Sequence, residues 1–152
     1  MKKSDLDPFV GTWEMSMRFP GQDEMSGGTL MFEWMDGEQF LIQRWEIPEV
    51  PEAPDGIAII GDDPAGEGYL QHYFDTRGVA RVYKMEIEGD VWTLRREEPD
   101  FSEFVFGQRF EGRFAEDGKT IEGSWEATRE GDDYALGHEY ALDFELTYRK
   151  VS

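Results

Sequence analysis

The stretch QRFEGRFAEDGKTIEGSWE, residues 108–126, consists of two runs of alternating side chains that flank the pair Asp117-Gly118. Such alternation is typical of β-strands that bury one face, and an Asp-Gly pair between two runs predicts a two-residue hairpin turn. This turn places Arg113 opposite Glu122 on a face exposed to solvent. The other face, which we predict to be buried, carries Gln108, Phe110, Gly112, Phe114, Ile121, Gly123, Trp125 and Ala127.

The same pattern extends along the whole chain. Turn signals recur every 8 to 15 residues, and the segments between them are rich in aromatic and β-branched residues with a period of two. SDLDPF, at residues 4–9, is expected to form a short turn or helix that plugs one end, and PEVPEAPDG, at residues 48–56, a loop or lid. We predict ten strands, near residues 9–19, 27–35, 38–47, 56–61, 68–75, 78–88, 90–98, 104–115, 119–128 and 139–150.

Ten short antiparallel strands that follow one another in sequence close most economically into an up-and-down barrel, because closure leaves no unpaired edge. We therefore predict an all-β fold in which residues 1–152 form a single barrel domain. A sandwich of two sheets is the alternative. The side chains expected to be buried in the barrel include Trp13, Phe110, Trp125 and Phe144.

The composition restricts location and partners. The 152 residues carry a net charge of -19 and no Cys, which excludes disulfides and disfavours nucleic acids and anionic membranes as partners. No apolar run is long enough to span a bilayer, and no signal peptide is visible in MKKSDLDPF, so we predict a cytoplasmic protein. No metal and no cofactor is predicted, because the two histidines form no zinc motif.

A second hairpin is predicted at Asp36-Gly37. It leaves Met31, Phe40 and Ile42 together on the outer face. Because an apolar patch often marks a partner surface, we predict a symmetric homodimer through this face. The interior face of the same hairpin carries Leu30, Phe32, Trp34, Leu41, Gln43 and Trp45.

The stretch YLQHYFDTRGVARVYKMEIEGDVWTLRR, residues 69–96, concentrates positive charge in an acidic chain. Turns predicted at Thr76-Arg77 and at Glu88-Gly89 place an interior face in this stretch, which carries Leu70, His72, Phe74, Val79, Arg81, Tyr83, Met85, Ile87, Trp92, Leu94 and Arg96. Three potentially cationic groups are thereby predicted to meet in the lumen. Burial of an arginine without a partner would cost several kcal/mol, so these groups require an explanation.

FVGTWEM, residues 9–15, resembles the Phe-x-Gly-Thr-Trp signature at the start of calycin barrels, which include fatty-acid-binding proteins and nitrobindins. Together with HYFDTRGVARVYKM, QRFEGRFAEDGKTIEGSWE and the closing DFELTYRK, the chain resembles a bacterial lipocalin-like family of uncharacterised function over nearly its whole length. The resemblance implies a ten-stranded barrel, and it carries no established activity.

Two functional motifs of the similar families are not matched residue by residue. Nitrobindins bind haem through a histidine shortly before a Thr-Tyr-basic ending that LTYRK resembles, but the neighbouring positions here are Asp143 and Glu145, and His138 lies earlier. Fatty-acid-binding proteins hold carboxylates with an Arg-x-Tyr pair in the last strand. Here Arg81 and Tyr83 have that spacing, but in the sixth predicted strand.

Candidate site residues follow from the predicted interior face. Ligand sites combine aromatic walls with a few convergent polar groups, and the predicted lumen offers both. The ligand-binding candidates are His72, Arg81, Tyr83, Arg96, Gln108, Trp34, Gln43, Trp45, Trp92 and Trp125.

Each of these polar candidates has a structural alternative. His72 and Tyr83 are the candidate acid or base groups of an enzyme, whereas His72 could also be a core histidine bonded to a neighbouring Tyr or carboxylate. Arg81 and Arg96 either clamp a ligand carboxylate or phosphate or form internal salt bridges, for which the candidate partners are Asp75, Glu98 and Asp143.

The leading functional hypothesis is binding of a small hydrophobic or amphipathic molecule, including an anionic one, in the barrel lumen. The first alternative is a small barrel enzyme of the isomerase, cyclase or hydratase type that acts on a hydrophobic substrate. The second is a nitrobindin-like haem-binding protein or a structural barrel without a ligand. No nucleophile, base and orienting residue form a recognisable triad, which disfavours a hydrolase.

Overall fold

The computed structural model describes residues 3–48, 50, 53–131 and 133–152. The chain starts with a short helix, α1 (Lys3–Leu6), and a single 3-10 turn, Asp7–Phe9. Among the described residues, no helix has the length and apolar character needed to cross a membrane. The strands are β1 (Gly11–Arg18), β2 (Met25–Trp34), β3 (Leu41–Glu46), β4 (Gly56–Asp62), β5 (Tyr69–Asp75), β6 (Ala80–Glu88), β7 (Val91–Arg96), β8 (Gln108–Phe114), β9 (Thr120–Glu130), β10 (Asp133–Tyr134) and β11 (Tyr140–Lys150).

Ten of these strands form a closed antiparallel barrel. Each strand from β1 to β8 pairs with the next one in sequence, β9 also pairs with β11, and β11 pairs with β1. The predicted all-β, up-and-down barrel is thus confirmed. β10 is not part of the barrel wall, since its two residues pair with Arg129 and Glu130 at the end of β9.

The N-terminal plug, residues 3–9, closes one end of the barrel. Phe9 is fully buried, and its ring centroid lies 5.0 Å from that of Phe32 and 4.9 Å from that of Trp92. The indole N–H of Trp13 donates a hydrogen bond of 2.8 Å to the carbonyl of Phe9. The predicted plug is therefore present, and we call this end the closed end and the opposite one the open end.

The hairpin of β8 and β9 has the predicted register. Phe110 pairs with Trp125, and Arg113 pairs with Glu122 on the solvent side. Phe110 is buried as expected, whereas Trp125 is only partly buried because it faces a cavity in the lumen. Alternation around one Asp-Gly turn was sufficient to assign both faces.

In two other hairpins the turn lies one residue further along the chain than predicted. Trp34 pairs with Leu41, and the turn places Glu38 at a φ of 54°. Glu88 pairs with Val91. Moving a turn by one residue shifts the pairing by two residues, which leaves each side chain on its predicted face. The buried residues accordingly include Leu30, Phe32, Leu41, Gln43, Trp92, Leu94 and Arg96.

The hairpin of β5 and β6 differs from the prediction in a more consequential way. Its loop has three residues, 76–78, because the N–H of Asp75 donates to the carbonyl of Val79 at 3.0 Å. Gly78 adopts a φ of 85°, as the last residue of such a loop usually does. The loop is one residue longer than the predicted two-residue turn, so the residues of β5 exchange faces.

The predicted orientation of His72 is therefore wrong. His72 pairs with Val82 and lies on the outer face of the barrel. The residues of β5 that face the lumen are Gln71, which is 3% exposed, and Tyr73.

A β-bulge in β11 changes the direction of one acidic side chain. Leu142 pairs with Glu126 and Phe144 with Trp125, so Asp143 is the extra residue of the bulge. Its side chain points into the lumen and is largely buried.

The predicted loop at residues 48–56 lies over the open end. Trp45 donates its indole N–H to the carbonyl of Pro54 at 3.0 Å, and the N–H of Ile47 donates to Asp55 Oδ1 at 2.7 Å. These bonds hold the described part of the loop against the barrel. Residues 49, 51 and 52 of the predicted loop lie outside the described residues.

The apolar residues predicted for the outer face of β2 and β3 do lie there. Met31 is 39% exposed and Phe40 is 44% exposed, while Ile42 is partly buried. The ring of Phe40 stands over Gly61, where any side chain would collide with it. The homodimer through this face stays a prediction.

Candidate functional site

A cavity of ≈ 280 Å³ occupies the lumen between Trp92 and the open end. Ligand pockets usually have volumes of roughly 300–1,000 Å³, so this one suits a small molecule rather than a long lipid. Its walls are mainly aromatic and aliphatic. The ligand-binding candidates that line it are Gln43, Trp45, Arg81, Tyr83, Trp92, Gln108 and Trp125.

The other three candidates lie elsewhere. Trp34 is at the closed end, where its indole N–H donates to Asp7 Oδ1 at 3.1 Å. His72 is on the outer face, and its ring centroid lies 6.1 Å from that of Phe101. Arg96 points inwards, but its guanidinium lies under the connection between β7 and β8 and does not line the cavity.

Arg96 forms a bidentate ion pair with Asp100. Its Nε donates to Asp100 Oδ2 at 2.7 Å and its Nη2 to Oδ1 at 3.0 Å, and the two side chains are only 2% and 4% exposed. An internal salt bridge was one of the two predicted roles of this arginine, but its partner is none of the three carboxylates considered. Such a pair holds the irregular segment 97–107 against the open end.

The carboxylate of Asp100 is strongly stabilised in its charged form. Burial alone would raise the pKa of Asp100, but hydrogen bonds from Arg96 and from the backbone N–H groups of Val82 and Ser102 outweigh it and lower the pKa to about 2. Because the carboxylate of Asp100 neutralises the positive charge of Arg96, we assign Arg96 a role in stabilising the fold of the open end.

Arg81 has a different environment. It is partly buried at the rim of the cavity, with its guanidinium 5.3 Å from the centroid of the Phe106 ring. It also lies near the hydroxyl of Tyr83: burial raises the pKa of this hydroxyl, and the charge of Arg81 counteracts the rise. Within the part of the chain that the structure describes, Arg81 forms no ion pair. A lumen-facing positive charge is therefore left without a carboxylate.

Arg77, a further arginine at the open end, is also paired. Arg77 donates to Asp75 Oδ2 at 2.7 Å, and the hydroxyl of Tyr73 donates to the same atom at 2.6 Å. Burial alone would raise the pKa of Asp75, but the hydrogen bonds from Arg77 and Tyr73 lower it. The Tyr73 ring stacks on Trp45 with a centroid distance of 5.3 Å, which forms one side of the cavity entrance.

The opposite side of the entrance is formed around the bulge. Arg129 donates to Asp143 Oδ1 at 2.7 Å, and the hydroxyl of Tyr134 donates to the same atom at 2.8 Å. Burial, together with this hydrogen bond, raises the pKa of Tyr134 to about 12. Asp143 is therefore a buried, paired carboxylate that fixes the position of β10.

A ring of buried polar side chains, which we call the polar belt, crosses the cavity wall at Gln43, Gln71, Tyr83 and Gln108. Gln71 Nε2 donates to Gln43 Oε1 at 2.8 Å, and the hydroxyl of Tyr83 donates to Gln108 Oε1 at 2.9 Å. Gln71 and Tyr83 are direct neighbours in the paired strands β5 and β6. The belt interrupts a lumen that is otherwise lined mainly by apolar groups.

The lumen offers little for acid–base chemistry. Tyr83, the catalytic candidate that does lie there, has a hydroxyl whose pKa burial raises, so it remains a protonated donor at neutral pH. His72, the other candidate, is outside. Asp143 is committed to Arg129 and Tyr134.

The structure places neither histidine of the chain in the cavity. His138 lies before β11, with its Nε2 3.7 Å from a carboxylate oxygen of Glu130. Asp143 lines the lumen instead, and Glu145 is bonded to Arg18 at 2.9 Å. No group of three or more His, Asp or Glu within the described residues is arranged to hold a metal ion.

Sequence reasoning missed several lumen residues that carry polar groups, among them Gln71, Tyr73 and Tyr148. Gln71 and Tyr73 were missed because the faces of β5 were exchanged. Tyr148 follows Leu146 in the alternation of β11, so its inward direction could have been predicted.

The fold and the cavity define the chain as a closed ten-stranded antiparallel barrel with a small lumen pocket, which is consistent with a calycin-like architecture. A comparison with protein-family models gives no match, and a comparison with curated proteins gives none either.

Proposed function

We propose that the protein binds a small amphipathic molecule whose apolar body occupies the lumen and whose anionic group contacts Arg81. The observation that carries this proposal is the environment of Arg81, a guanidinium at the rim of an apolar cavity with no ion-pair partner among the described residues. The paired arginines Arg77 and Arg96 provide the contrast, because their charges are already balanced. A carboxylate or phosphate group of the ligand would form charge-assisted hydrogen bonds with the guanidinium of Arg81.

The shape of the cavity supports the same proposal. Aromatic rings surround the space below Arg81, with the centroid of Trp125 5.3 Å from those of Tyr83 and Phe110. A flat apolar body gains dispersion and burial energy between such rings. The modest volume favours compact aromatic acids over long-chain fatty acids.

Binding, rather than catalysis, is the better supported activity. The lumen carries a protonated Tyr83 and a paired Asp143, and both histidines lie outside it. A nitrobindin-like haem site would need a histidine ligand, and neither histidine is among the described residues that line the cavity. The cytoplasmic location expected from the sequence belongs to the same proposal and is tested by cell fractionation.

The proposal is tested by titrating the protein with cinnamate and following tryptophan fluorescence. Arg81→Met is expected to weaken cinnamate binding about tenfold to a hundredfold, because hydrogen bonds to charged groups contribute roughly 1.5–3 kcal/mol. The matched control is Arg95→Met, since Arg95 is about half exposed, lies outside the cavity and is bonded only weakly to Glu86, at 3.4 Å. This control should bind as the wild type does. Equal binding by all three proteins would contradict the role of Arg81, and native mass spectrometry of the purified protein would identify any ligand that it retains.

A further inference from the structure

The wall of the cavity carries polar atoms that the described residues do not satisfy. In the polar belt, each of Gln43, Gln71 and Gln108 uses one atom of its amide in the bonds described above. Among the described residues the second polar atom of each amide has no hydrogen-bond partner. These atoms border open space, because Trp92 Nε1 is the single fully enclosed side-chain polar atom without a partner in that part of the chain.

Tyr148 adds a hydroxyl to this set. The residue is 5% exposed and lines the cavity from β11, on the wall opposite Arg81, and its ring centroid lies 6.3 Å from that of Trp92 at the floor. Burial raises the pKa of Tyr148 far above its usual range, and neither a hydrogen bond nor a charge contributes to that shift. No described residue bonds its hydroxyl.

Buried polar groups of this kind are nearly always hydrogen-bonded in folded proteins. A purely apolar ligand would cover the hydroxyl of Tyr148 and the amides of the belt without replacing the bonds they make to water, which is unfavourable. A ligand with an oxygen atom beside Tyr148 would satisfy its hydroxyl. The lumen thus discriminates between these two kinds of ligand.

We propose that the ligand carries, in addition to its acidic group, a hydroxyl or carbonyl oxygen at its opposite end, and that Tyr148 hydrogen-bonds this oxygen near the floor of the cavity. The ligand class is that of aromatic acids with an oxygen substituent remote from the acidic group. This inference rests on the proposed function, since the acidic group at Arg81 sets the direction in which the ligand enters.

The test compares cinnamate with para-hydroxycinnamate, which differ only in the remote hydroxyl. The wild type is expected to bind the hydroxylated acid about tenfold more tightly, which corresponds to about 1.4 kcal/mol. Tyr148→Phe should reduce this preference to less than about twofold, by weakening the binding of para-hydroxycinnamate and by tightening that of cinnamate, whose apolar end then no longer covers an unbonded hydroxyl. Its melting temperature should not fall, because the lost hydroxyl has no partner among the described residues.

Two control variants separate the possible causes. Tyr69→Phe removes a hydroxyl that donates to Asp5 at 3.2 Å at the closed end, so it should keep the preference. Arg81→Met should weaken both acids and keep their ratio, because the two contacts are independent. A preference that persists in Tyr148→Phe, or a wild type that binds both acids equally, overturns the inference while the proposed function stands. If neither acid binds to the wild type, the proposed function fails and the inference with it.

Discussion

The closed and open ends of the barrel differ in how their polar groups are satisfied. At the closed end the indole N–H groups of Trp13 and Trp34 donate to residues of the plug, as does the hydroxyl of Tyr69. In the lumen, Arg81 at the rim has no ion-pair partner among the described residues, and the hydroxyl of Tyr148 near the floor has no hydrogen-bond partner among them.

We therefore expect the closed end to contribute mainly to stability and the lumen to contribute mainly to ligand binding. At the closed end the protein itself supplies the aromatic packing and the hydrogen bonds of the plug, and the indole N–H of Trp92 is the one fully enclosed side-chain polar atom of the described residues that lacks a partner. The lumen has apolar walls and polar atoms with unused bonding capacity, which is the expected state of a site that receives a ligand.

The largest expected effect is the loss of the plug. Phe9→Ala should lower the free energy of unfolding by about 3–5 kcal/mol, because it leaves a void between Phe32, Trp92 and Phe114. Thermal denaturation should show a melting temperature roughly 10 °C lower. Phe144→Ala at the open end is the matched comparison and should cost less than about 2 kcal/mol, since it enlarges a cavity that already exists. Equal losses would remove the distinction between the two ends.

A similar loss is expected where the open end does contain a closed ion pair. Asp100→Asn leaves the buried guanidinium of Arg96 without its counter-charge and should destabilise the protein by about 3 kcal/mol in chemical denaturation. Asp90→Asn is the control, because the pair of Asp90 with Arg113 is 3.8 Å long and more than half exposed. If both variants unfold at the same denaturant concentration, the Arg96–Asp100 pair does not stabilise the segment 97–107.

The same pair predicts a defined acid sensitivity. The pKa of Asp100 is about 2 in the folded protein and has an ordinary value of 3.8 without its partners. A carboxyl group with a depressed folded pKa stabilises the fold above its unfolded pKa and loses that contribution as pH falls through the folded pKa. About 2 kcal/mol should therefore disappear between pH 4 and pH 2. The stability difference between wild type and Asp100→Asn should shrink over this window, and a constant difference would contradict the shift.

The smallest effect on the single chain is expected at the outer face of β2 and β3. Phe40→Glu should change the stability of one chain by about 1 kcal/mol, since the ring is nearly half exposed. If the predicted homodimer forms through Met31, Phe40 and Ile42, sedimentation at micromolar concentration should show a dimer for the wild type and a monomer for the variant. A wild type that sediments as a monomer would show that this patch does not mediate association.

Most of the barrel could be predicted because it depends on local rules. Alternation assigns faces, and turn dipeptides assign neighbours, so the pairing of Phe110 with Trp125 followed from a few residues. A turn predicted one residue too early left the side chains on their predicted faces. A loop predicted one residue too short exchanged the two faces of β5. The sequence does contain a signal for the longer loop, since Asp75 accepts the N–H of Arg77 and Gly78 supplies the positive φ.

The candidate site was less predictable because it depends on irregular segments. Asp100 lies in a stretch between β7 and β8 that has no period, so its pairing with Arg96 could not be derived from alternation. Asp143 enters the lumen through a bulge, which breaks the pattern that would otherwise assign its face. That Arg81 has no ion-pair partner among the described residues becomes apparent only once the partners of the neighbouring arginines are known.

The seam between β1 and β11 has a consequence for how the chain folds. Every other pairing in the wall joins strands that are close in sequence, but Arg18 meets Glu145, which is 127 positions away. Hairpins can form early, because closing a short loop costs little entropy, whereas the seam requires most of the wall to be in place. Folding rates fall as contacts become more distant in sequence, so refolding in milliseconds to seconds is expected, with the β1–β11 pairing among the last events.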